Sequence, residues 1–256
     1  ADFINTKYCI KLSSGINVLK IALESLGIKK NEEILVQGNI SKMDFIYLIK
    51  LGYKFKCLDI DPDTLMVDVT KIEQNIEKIT KVIIVSHLYG NCADMDNIMK
   101  IAEKYNLYVI EDATNAIGSL YKKKKLGSIG HMGCFSLNAQ GNLKVLGNCA
   151  AITTNDEKLY KELSKKNIED VYLKKYILPN SLDHIQAHML KNNLTVLDHK
   201  NNMRQKIRES YKKYLSEVNE ITILKSLCNS ASNVFVIKVI GNKTRDKLRA
   251  YLNNYK

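Results

Sequence analysis

The sequence contains no hydrophobic run that approaches the roughly 20 apolar residues needed to cross a bilayer. Its first residues, ADFINTKYCIKL, lack the basic and then apolar layout of a signal peptide. Internal repeats and low-complexity segments are also missing. These absences argue against a membrane-spanning or repeat protein, and we expect a soluble, cytoplasmic one.

Cysteine pairs with the spacing of a zinc site are missing as well. The chain has six cysteines and no CxxC pair, and they are Cys9, Cys57, Cys92, Cys134, Cys149 and Cys228. Most lie in apolar or strand-like contexts. We therefore expect buried, reduced thiols and no metal.

Acidic residues are outnumbered, since 27 Asp and Glu stand against 39 Lys and Arg, which gives a formal charge of +12. Most lysines fall on the polar faces of predicted helices, and the densest run, YKKKKLGS at residues 121–128, is typical of an exposed turn. No aromatic residues that would stack on bases are interleaved around this run. We expect a solvated basic surface, which suits a small phosphorylated ligand, and no nucleic-acid partner.

What the chain does have is 45% hydrophobic residues over 256 positions, enough for a full core. Short apolar runs predict strands at 33–37, 55–60, 81–87, 107–112 and 149–154, and apolar residues at helical spacing predict helices at 16–27, 41–52, 69–78 and 93–106. This alternation predicts an α/β fold with a mostly parallel sheet flanked by helices. Ligands of such sheets bind at the carboxyl ends of the strands.

The pattern changes after about residue 166. Pro179 and Asn180 precede a long helical stretch from Leu182 to about Val218, with Ser181 at its N-cap position. Two predicted strands, ITIL and NVFVIKVI, and a closing helix, TRDKLRAYLNNY, follow. We predict a large α/β domain over residues 1–170, and a long helix with a small α+β domain over residues 171–256.

Three features that could bind a ligand or take part in catalysis lie at strand ends or helix starts. The LSSGIN stretch (12–17) opens a helix whose free N–H groups and dipole can hold a phosphate, although a serine N-cap looks the same. Glu111 and Asp112 end a buried strand, where a carboxylate can pair with a protonated ring nitrogen or cap the next helix. Ser136 follows another apolar run and can add a hydroxyl to a phosphate site.

The order of these features resembles that in a known family. Three motifs carry the same resemblance: HLYGNCADMDNIMKIAEKYNLYVIEDATNAIGSLYKKKKLGSIGHMGCFSL, AITTND and SLDHIQAHML. The chain is similar, from about Tyr8 to Glu217, to the DegT/StrS-type sugar-nucleotide aminotransferases, which are pyridoxal 5'-phosphate (PLP) enzymes of fold type I. Those that form 3-amino sugars from 3-keto-6-deoxyhexose nucleotides look nearest. The resemblance implies a cofactor site and, beside it, substrate contacts from His87 and Tyr89; the implied cofactor-binding residues are Ser14, Gly15, Ile16, Asp112, Asn115 and Ser136.

The family motif F-S-x-x-x-x-K-N-L departs at its most important position. Phe135, Ser136, Asn142 and Leu143 match it, but Gly141 stands where the family has the lysine that forms the Schiff base with PLP. A glycine supplies neither that bond nor the proton-shuttling base. Lys144 is a weak candidate to replace it, because some members carry a residue like it in addition to the catalytic lysine.

Other positions depart from the family too. Ile16 replaces a threonine, Ser41 an aromatic residue that lies against the cofactor ring, and Asn115 a glutamine. Members of the family are also considerably longer, with terminal portions that complete the substrate site.

Two functions follow from the resemblance. The chain is a catalytically degenerate, non-catalytic or partner subunit, in a homodimer or in a heterodimer with an active paralogue, with PLP bound non-covalently or not at all. Alternatively, it is an active PLP-dependent transaminase that acts on a keto-deoxy sugar nucleotide, in which case another lysine must serve. Either function allows a nucleotide-sugar ligand.

Overall fold

The protein is described here by a computed structural model that covers residues 1–12, 15, 18–139, 141–173 and 184–254, with only the helical backbone for 167–173. Its strands are β1 (Tyr8–Leu12), β2 (Glu33–Gln37), β3 (Lys54–Leu58), β4 (Thr80–Ser86), β5 (Tyr108–Asp112), β6 (Leu120–Tyr121), β7 (Lys124–Lys125), β8 (Met132–Asn138), β9 (Asn148–Thr154), β10 (Ile221–Ile223) and β11 (Ile237–Val239). Its helices are α1 (Val18–Ser25), α2 (Lys42–Leu51), α3 (Met95–Tyr105), α4 (Glu157–Leu173), α5 (His184–Thr195), α6 (Leu197–Leu215) and α7 (Asn242–Asn253). None of the helices in these ranges is long and apolar enough to cross a membrane.

A seven-stranded sheet forms the centre of the molecule, in the order β1-β9-β8-β5-β4-β2-β3. The strands from β3 across to β8 pair in parallel, whereas β9 is antiparallel to both β8 and β1. The prediction of a mostly parallel sheet is therefore confirmed. The parallel part brings the carboxyl ends of β4, β5 and β8 to one edge, which is where ligands of such sheets bind.

Side chains of the central strands point alternately to the two faces of the sheet. In β4, Ile83 and Val85 belong to the hydrophobic cluster that includes α3, while Val82 and Ile84 belong to the cluster that includes α1 and α4. Both faces are thus covered by helices. This explains why the central strands read as continuous apolar runs rather than as alternating ones.

Local signals set the helix ends. The Ser41 hydroxyl accepts a hydrogen bond from the N–H of Asp44 at the start of α2, and Gly52 ends that helix with a left-handed φ of 72°. In α3, Asp94 caps the first turn and Asn106 ends the helix with a φ of 53°. The predicted bounds of both helices are accurate to within two residues.

The prediction of a helix over residues 69–78 is wrong. The chain forms two short 3-10 turns there, Val69–Lys71 and Glu73–Asn75, and Ile76 is extended. The β-branched residues of this stretch have low helix propensity, and the Asp68 side chain holds the first turn through the N–H of Thr70.

Two further expectations are corrected by the structure. The long helix predicted from Leu182 to Val218 is two helices, α5 and α6, which are separated at Val196. The expectation that most cysteines are buried holds for three of the six, while Cys9 and Cys57 are exposed. They lie on β1 and β3, the two edge strands of the sheet.

The C-terminal part contains the antiparallel pair β10–β11, with α7 after it. It contacts the two-stranded sheet β6–β7, since Leu120 of β6 and Asn229 exchange backbone hydrogen bonds of 3.1 and 2.9 Å. The predicted boundary at residues 170 and 171 falls within α4 and stays a prediction. The N-cap predicted at Ser181 lies outside the described residues.

Candidate functional site

The candidate binding residues meet at the carboxyl ends of β5 and β8. Gly15 lies so close to Ser136 that a Cβ added to the glycine would overlap the Ser136 hydroxyl. The N–H of Ser136 donates to Thr114 Oγ1 at 2.9 Å, and the N–H of Thr114 donates to Asp112 Oδ1 at 3.2 Å. The fold therefore brings Gly15, Asp112 and Ser136 to one place, with Thr114 as a link between the strand ends.

Thr114 is not among the site residues predicted from the sequence. Its signal is a hydroxyl two positions after the strand-ending Asp112. Asn115 lies beside it in a 3-10 turn, Thr114–Ala116, and is exposed. The predicted cofactor contacts of Ser14 and Ile16 lie outside the described residues.

His87 and Tyr89, predicted at the substrate site, lie in the turn after β4. The His87 ring is fully buried, with Nε2 at 3.0 Å from Glu111 Oε2. Its Nδ1 accepts a hydrogen bond from the N–H of Ala93 at 3.4 Å, which assigns the proton to Nε2. Both ring nitrogens are thus engaged within the chain, an arrangement that suits a positioning residue. Tyr89 is half-buried, has a left-handed φ of 58°, and packs against the core.

Glu111 carries a buried carboxylate that organises the loop after β7. It accepts backbone hydrogen bonds from Gly127 at 2.9 Å, Ile129 at 2.7 Å and Gly130 at 2.6 Å, in addition to the contact with His87. Burial alone would raise the pKa of Glu111, but the hydrogen bonds from His87 and from the backbone N–H groups hold that pKa below its usual value. The residue beside Asp112 is therefore an ionised group with four hydrogen bonds, which fixes the end of β5.

A second carboxylate lies near Asp112. Asp44, in the first turn of α2, has its pKa raised to about 6, first by burial and then by the negative charge of Asp112. Its hydrogen bond with the Ser41 hydroxyl, at 2.5 Å, opposes the shift. The site thus concentrates negative charge and would stabilise a cation placed between the two carboxylates.

We predict that Asp44→Asn stabilises the protein above pH 6. Because the folded pKa of Asp44 lies above its unfolded value, the folded state binds more protons between the two, and the free energy of unfolding falls as the pH rises toward 6. At pH 7.5 the variant should melt about 2–4 °C higher, even after losing a favourable charge at a helix N-terminus.

The measurement is the melting temperature of both proteins at pH 7.5 and near pH 4, where they should differ little. Asp246→Asn, which changes an exposed carboxylate, serves as the control. A lower melting temperature for Asp44→Asn at pH 7.5 would contradict the electrostatic assignment.

Gly141 is a half-buried residue of the connection between β8 and β9. Its N–H donates to Asn138 Oδ1 at 2.9 Å, and a Cβ added to it would find its nearest atom, Asn138 O, at 3.6 Å. Its φ lies outside the left-handed region. The fold therefore has room for a β-carbon at this position, and the backbone conformation does not require glycine there.

Lys144, the weak candidate for a replacement lysine, has an exposed side chain. It lines a cavity of about 270 Å³ together with Met189 and Asn193 of α5, and its carbonyl accepts a hydrogen bond from Asn193 Nδ2 at 2.8 Å. These contacts place Lys144 against α5.

Asn142, between these two positions, connects the loop to α6. Its buried Nδ2 lies 3.2 Å from Asn201 Oδ1 and also donates to the carbonyl of Ala231. The guanidinium of Arg204 donates to the Asn142 carbonyl at 3.3 Å and to Asn201 Oδ1 at 2.7 Å. The loop with Gly141 is therefore held by side chains of α6.

A mostly parallel sheet with a carboxylate at the end of β5 and a glycine–serine contact at the end of β8 defines an α/β protein of the PLP-dependent aminotransferase type. A family model confirms this class. The chain belongs to the DegT/DnrJ/EryC1/StrS aminotransferase family, whose model matches residues 1–256.

Curated relatives include a dTDP-3-amino-3,6-dideoxy-alpha-D-galactopyranose transaminase from Aneurinibacillus thermoaerophilus, which is 32% identical over 98% of this chain and 70% of its own length. A UDP-2-acetamido-2-deoxy-3-oxo-D-glucuronate aminotransferase from Pseudomonas aeruginosa is 34% identical over 85% of this chain and 62% of its own length. Among solved structures, DesV of S. venezuelae matches with a TM-score of 0.89 at 25% identity, over 100% of this chain and 70% of that one. The chain thus spans about two thirds of the length of these relatives.

Proposed function

We propose that this chain is a catalytically degenerate member of the family, which acts as a non-catalytic or partner subunit in sugar-nucleotide amino transfer. The proposal rests on Gly141, which the family resemblance aligns with the Schiff-base lysine and which has space for a β-carbon. Relatives named as transaminases of nucleotide sugars support the substrate class.

The described residues fit reversible binding of PLP. Asp112 would hold the ring nitrogen, and the hydroxyl of Ser136 and the N–H of Gly15 would hold the phosphate. PLP supplies an electron sink for amino transfer when it is bound. The close approach of Gly15 to Ser136 leaves no space for a β-carbon, which suits a backbone that must lie against a phosphate.

The two carboxylates suit a protonated ring nitrogen. The negative charge of Asp112 already raises the pKa of Asp44, so a cation beside Asp112 would relieve the repulsion between them. Glu111 and His87 keep the end of β5 rigid, so that Asp112 needs no reorganisation to receive the ring. Nothing at Gly141 takes up or delivers a proton.

A second subunit is part of the proposal. Large apolar side chains are exposed on α2, where Met43 is 65% and Ile49 54% accessible, and on α5, where Ile185 is 70% accessible. Such surfaces are typical of association. A homodimer, or a heterodimer with an active paralogue, would cover them.

The alternative is an active PLP-dependent transaminase. The names of curated relatives favour it, since they include transaminases and an aminotransferase of nucleotide sugars. It requires that a lysine at a position other than residue 141 supplies the amine that bonds to PLP, and Lys144 is the lysine nearest to residue 141 in the sequence.

The test is covalent capture of PLP. The purified chain is mixed with PLP, its absorbance recorded, the mixture reduced with borohydride, and the intact mass measured. We expect a reversible spectral change and no retained mass. A stoichiometric mass gain that disappears in Lys144→Ala would establish the alternative.

A further inference from the structure

Two cysteines from distant parts of the sequence meet beside the turn after β4. Cys92 is fully buried two residues after that turn, and Cys228 is half-buried in the segment between β10 and β11. The largest influence on the pKa of either thiol is a side-chain hydrogen bond with the other. Their proximity is a property of the fold, since α3 to α6 lie between them in the chain.

Hydrogen bonds to the side chain of Asn91 hold together the two segments that carry the cysteines. The side-chain oxygen of Asn91 accepts hydrogen bonds from the N–H of Cys92 at 2.9 Å and from the N–H of Leu227 at 3.2 Å. This one oxygen atom therefore joins the two chain segments, at Cys92 itself and at Leu227, which precedes Cys228. The Cys228 thiol also lies 3.3 Å from the carbonyl of Gly90.

More contacts join the same two segments. Asn91 Nδ2 donates to the carbonyl of Lys225 at 2.8 Å, and the Ser226 hydroxyl donates to Asn91 Oδ1 at 3.0 Å. Both sulfur atoms therefore belong to backbones that are already fixed against each other. Fixed, close thiols need little rearrangement to become bonded.

The two thiols differ in reactivity. The pKa of Cys228 is lowered by the hydrogen bond from Cys92, against the effect of burial, and further by the Ser226 hydroxyl and the positive charge of Arg208. The pKa of Cys92 is raised by the same hydrogen bond and by burial. Cys228 is therefore the more easily ionised thiol and the one that solvent reaches, as an attacking thiol must be.

We propose that Cys92 and Cys228 are a disulfide-forming pair that a low-molecular-weight disulfide, such as oxidised glutathione, oxidises. The Cys228 thiolate attacks one sulfur of the oxidant, which breaks its S–S bond and releases one thiolate. That first thiolate takes up from solvent the proton that Cys228 lost on ionisation. Cys92 then loses its own proton, attacks the mixed disulfide at the Cys228 sulfur, and displaces the second thiolate, which takes up the Cys92 proton. The two cysteines lose two electrons and two protons, and the oxidant becomes two thiols.

The bond would fasten the segment between β10 and β11 to the turn that carries His87 and Tyr89. It would close a loop of more than half the chain, which constrains the unfolded state more than the folded one. Oxidation should therefore stabilise the protein while leaving the sheet unchanged.

The experiment is titration of the full chain, without denaturant, with oxidised glutathione. We expect a mass lower by two hydrogen atoms, a peptide pair joined at Cys92 and Cys228 in a non-reducing digest, and a urea midpoint raised by roughly 1–2 M. Cys92→Ser and Cys228→Ser should both abolish the internal bond, and Cys92→Ser should retain one glutathione on Cys228.

Cys9→Ser removes an exposed thiol on an edge strand and is the matched control; it should leave the internal bond intact. A folded chain in which Cys228 takes up glutathione and keeps it, with Cys92 still free, would overturn the proposal. So would a bond that joins other cysteines, or one that forms only after urea is added.

Discussion

The Gly141→Lys chain should capture PLP covalently after borohydride reduction, where the natural chain retains none. The change places an amine at the position proposed to correspond to the family lysine, next to Asn138 and in the connection that follows Ser136 and the rest of β8. A Cβ at residue 141 has its nearest neighbour at 3.6 Å, an ordinary van der Waals contact, so a β-carbon can be added without displacing the backbone. We expect close to one retained PLP group per chain, measured by intact mass and located by peptide mapping.

Leu146→Lys is the matched control, because it places an exposed lysine in the same connection between β8 and β9. It should retain little PLP. Adding Asp112→Asn to Gly141→Lys should weaken capture by about tenfold or more, since the ring nitrogen loses its charged partner. A folded Gly141→Lys chain without any adduct would mean that residue 141 does not face the site. It would remove the main support for the proposal that the chain is catalytically degenerate.

Glu111→Gln should destabilise the protein by about 3–5 kcal/mol, the usual cost of breaking a buried charged network. Its carboxylate accepts four hydrogen bonds in the interior, from His87 and from the backbone of Gly127, Ile129 and Gly130. An amide at this place turns one acceptor into a donor that faces N–H groups. The measurement is the urea midpoint at pH 7.5.

The pH dependence provides a second readout. The pKa of Glu111 is lower in the folded protein than in the unfolded chain, so its contribution to stability is present above the unfolded pKa and is lost as the pH falls through the folded pKa. The difference between the natural chain and Glu111→Gln should therefore shrink on acidification below about pH 4. Glu157→Gln, which changes an exposed pair with Lys161, should leave the midpoint nearly unchanged at both pH values. If Glu111→Gln lowered the urea midpoint by no more than Glu157→Gln does, the network would not be important for stability.

Much of the fold could be predicted from the sequence because its central signals are local. Strands β2, β4, β5 and β9 read as apolar runs, since both faces of the sheet are covered, and α3 carries apolar residues at helical spacing. The failures lie where local signals are weak or are overruled. Residues 69–78 have a helical pattern but a β-branched composition, and strand β1 is an edge strand whose alternate residues face solvent.

The candidate site was predictable in part. The positions of Asp112, Ser136 and Gly15 at strand ends or a helix start follow from the sequence, and the family resemblance relates them to one cofactor. The roles of Asp44, Thr114 and His87 do not follow from it, because each depends on a neighbour that only folding supplies.

The sequence by itself determined the alternation of strands and helices, the family, and the absence of a lysine at residue 141, since these are properties of residue order. Tertiary structure alone decided that Gly141 has room for a β-carbon, that the charge of Asp112 reaches Asp44, and that Cys92 meets Cys228. The physical reason is that steric space, burial and charge repulsion act between residues far apart in the chain, whose separation is set only when the sheet and its helices pack together.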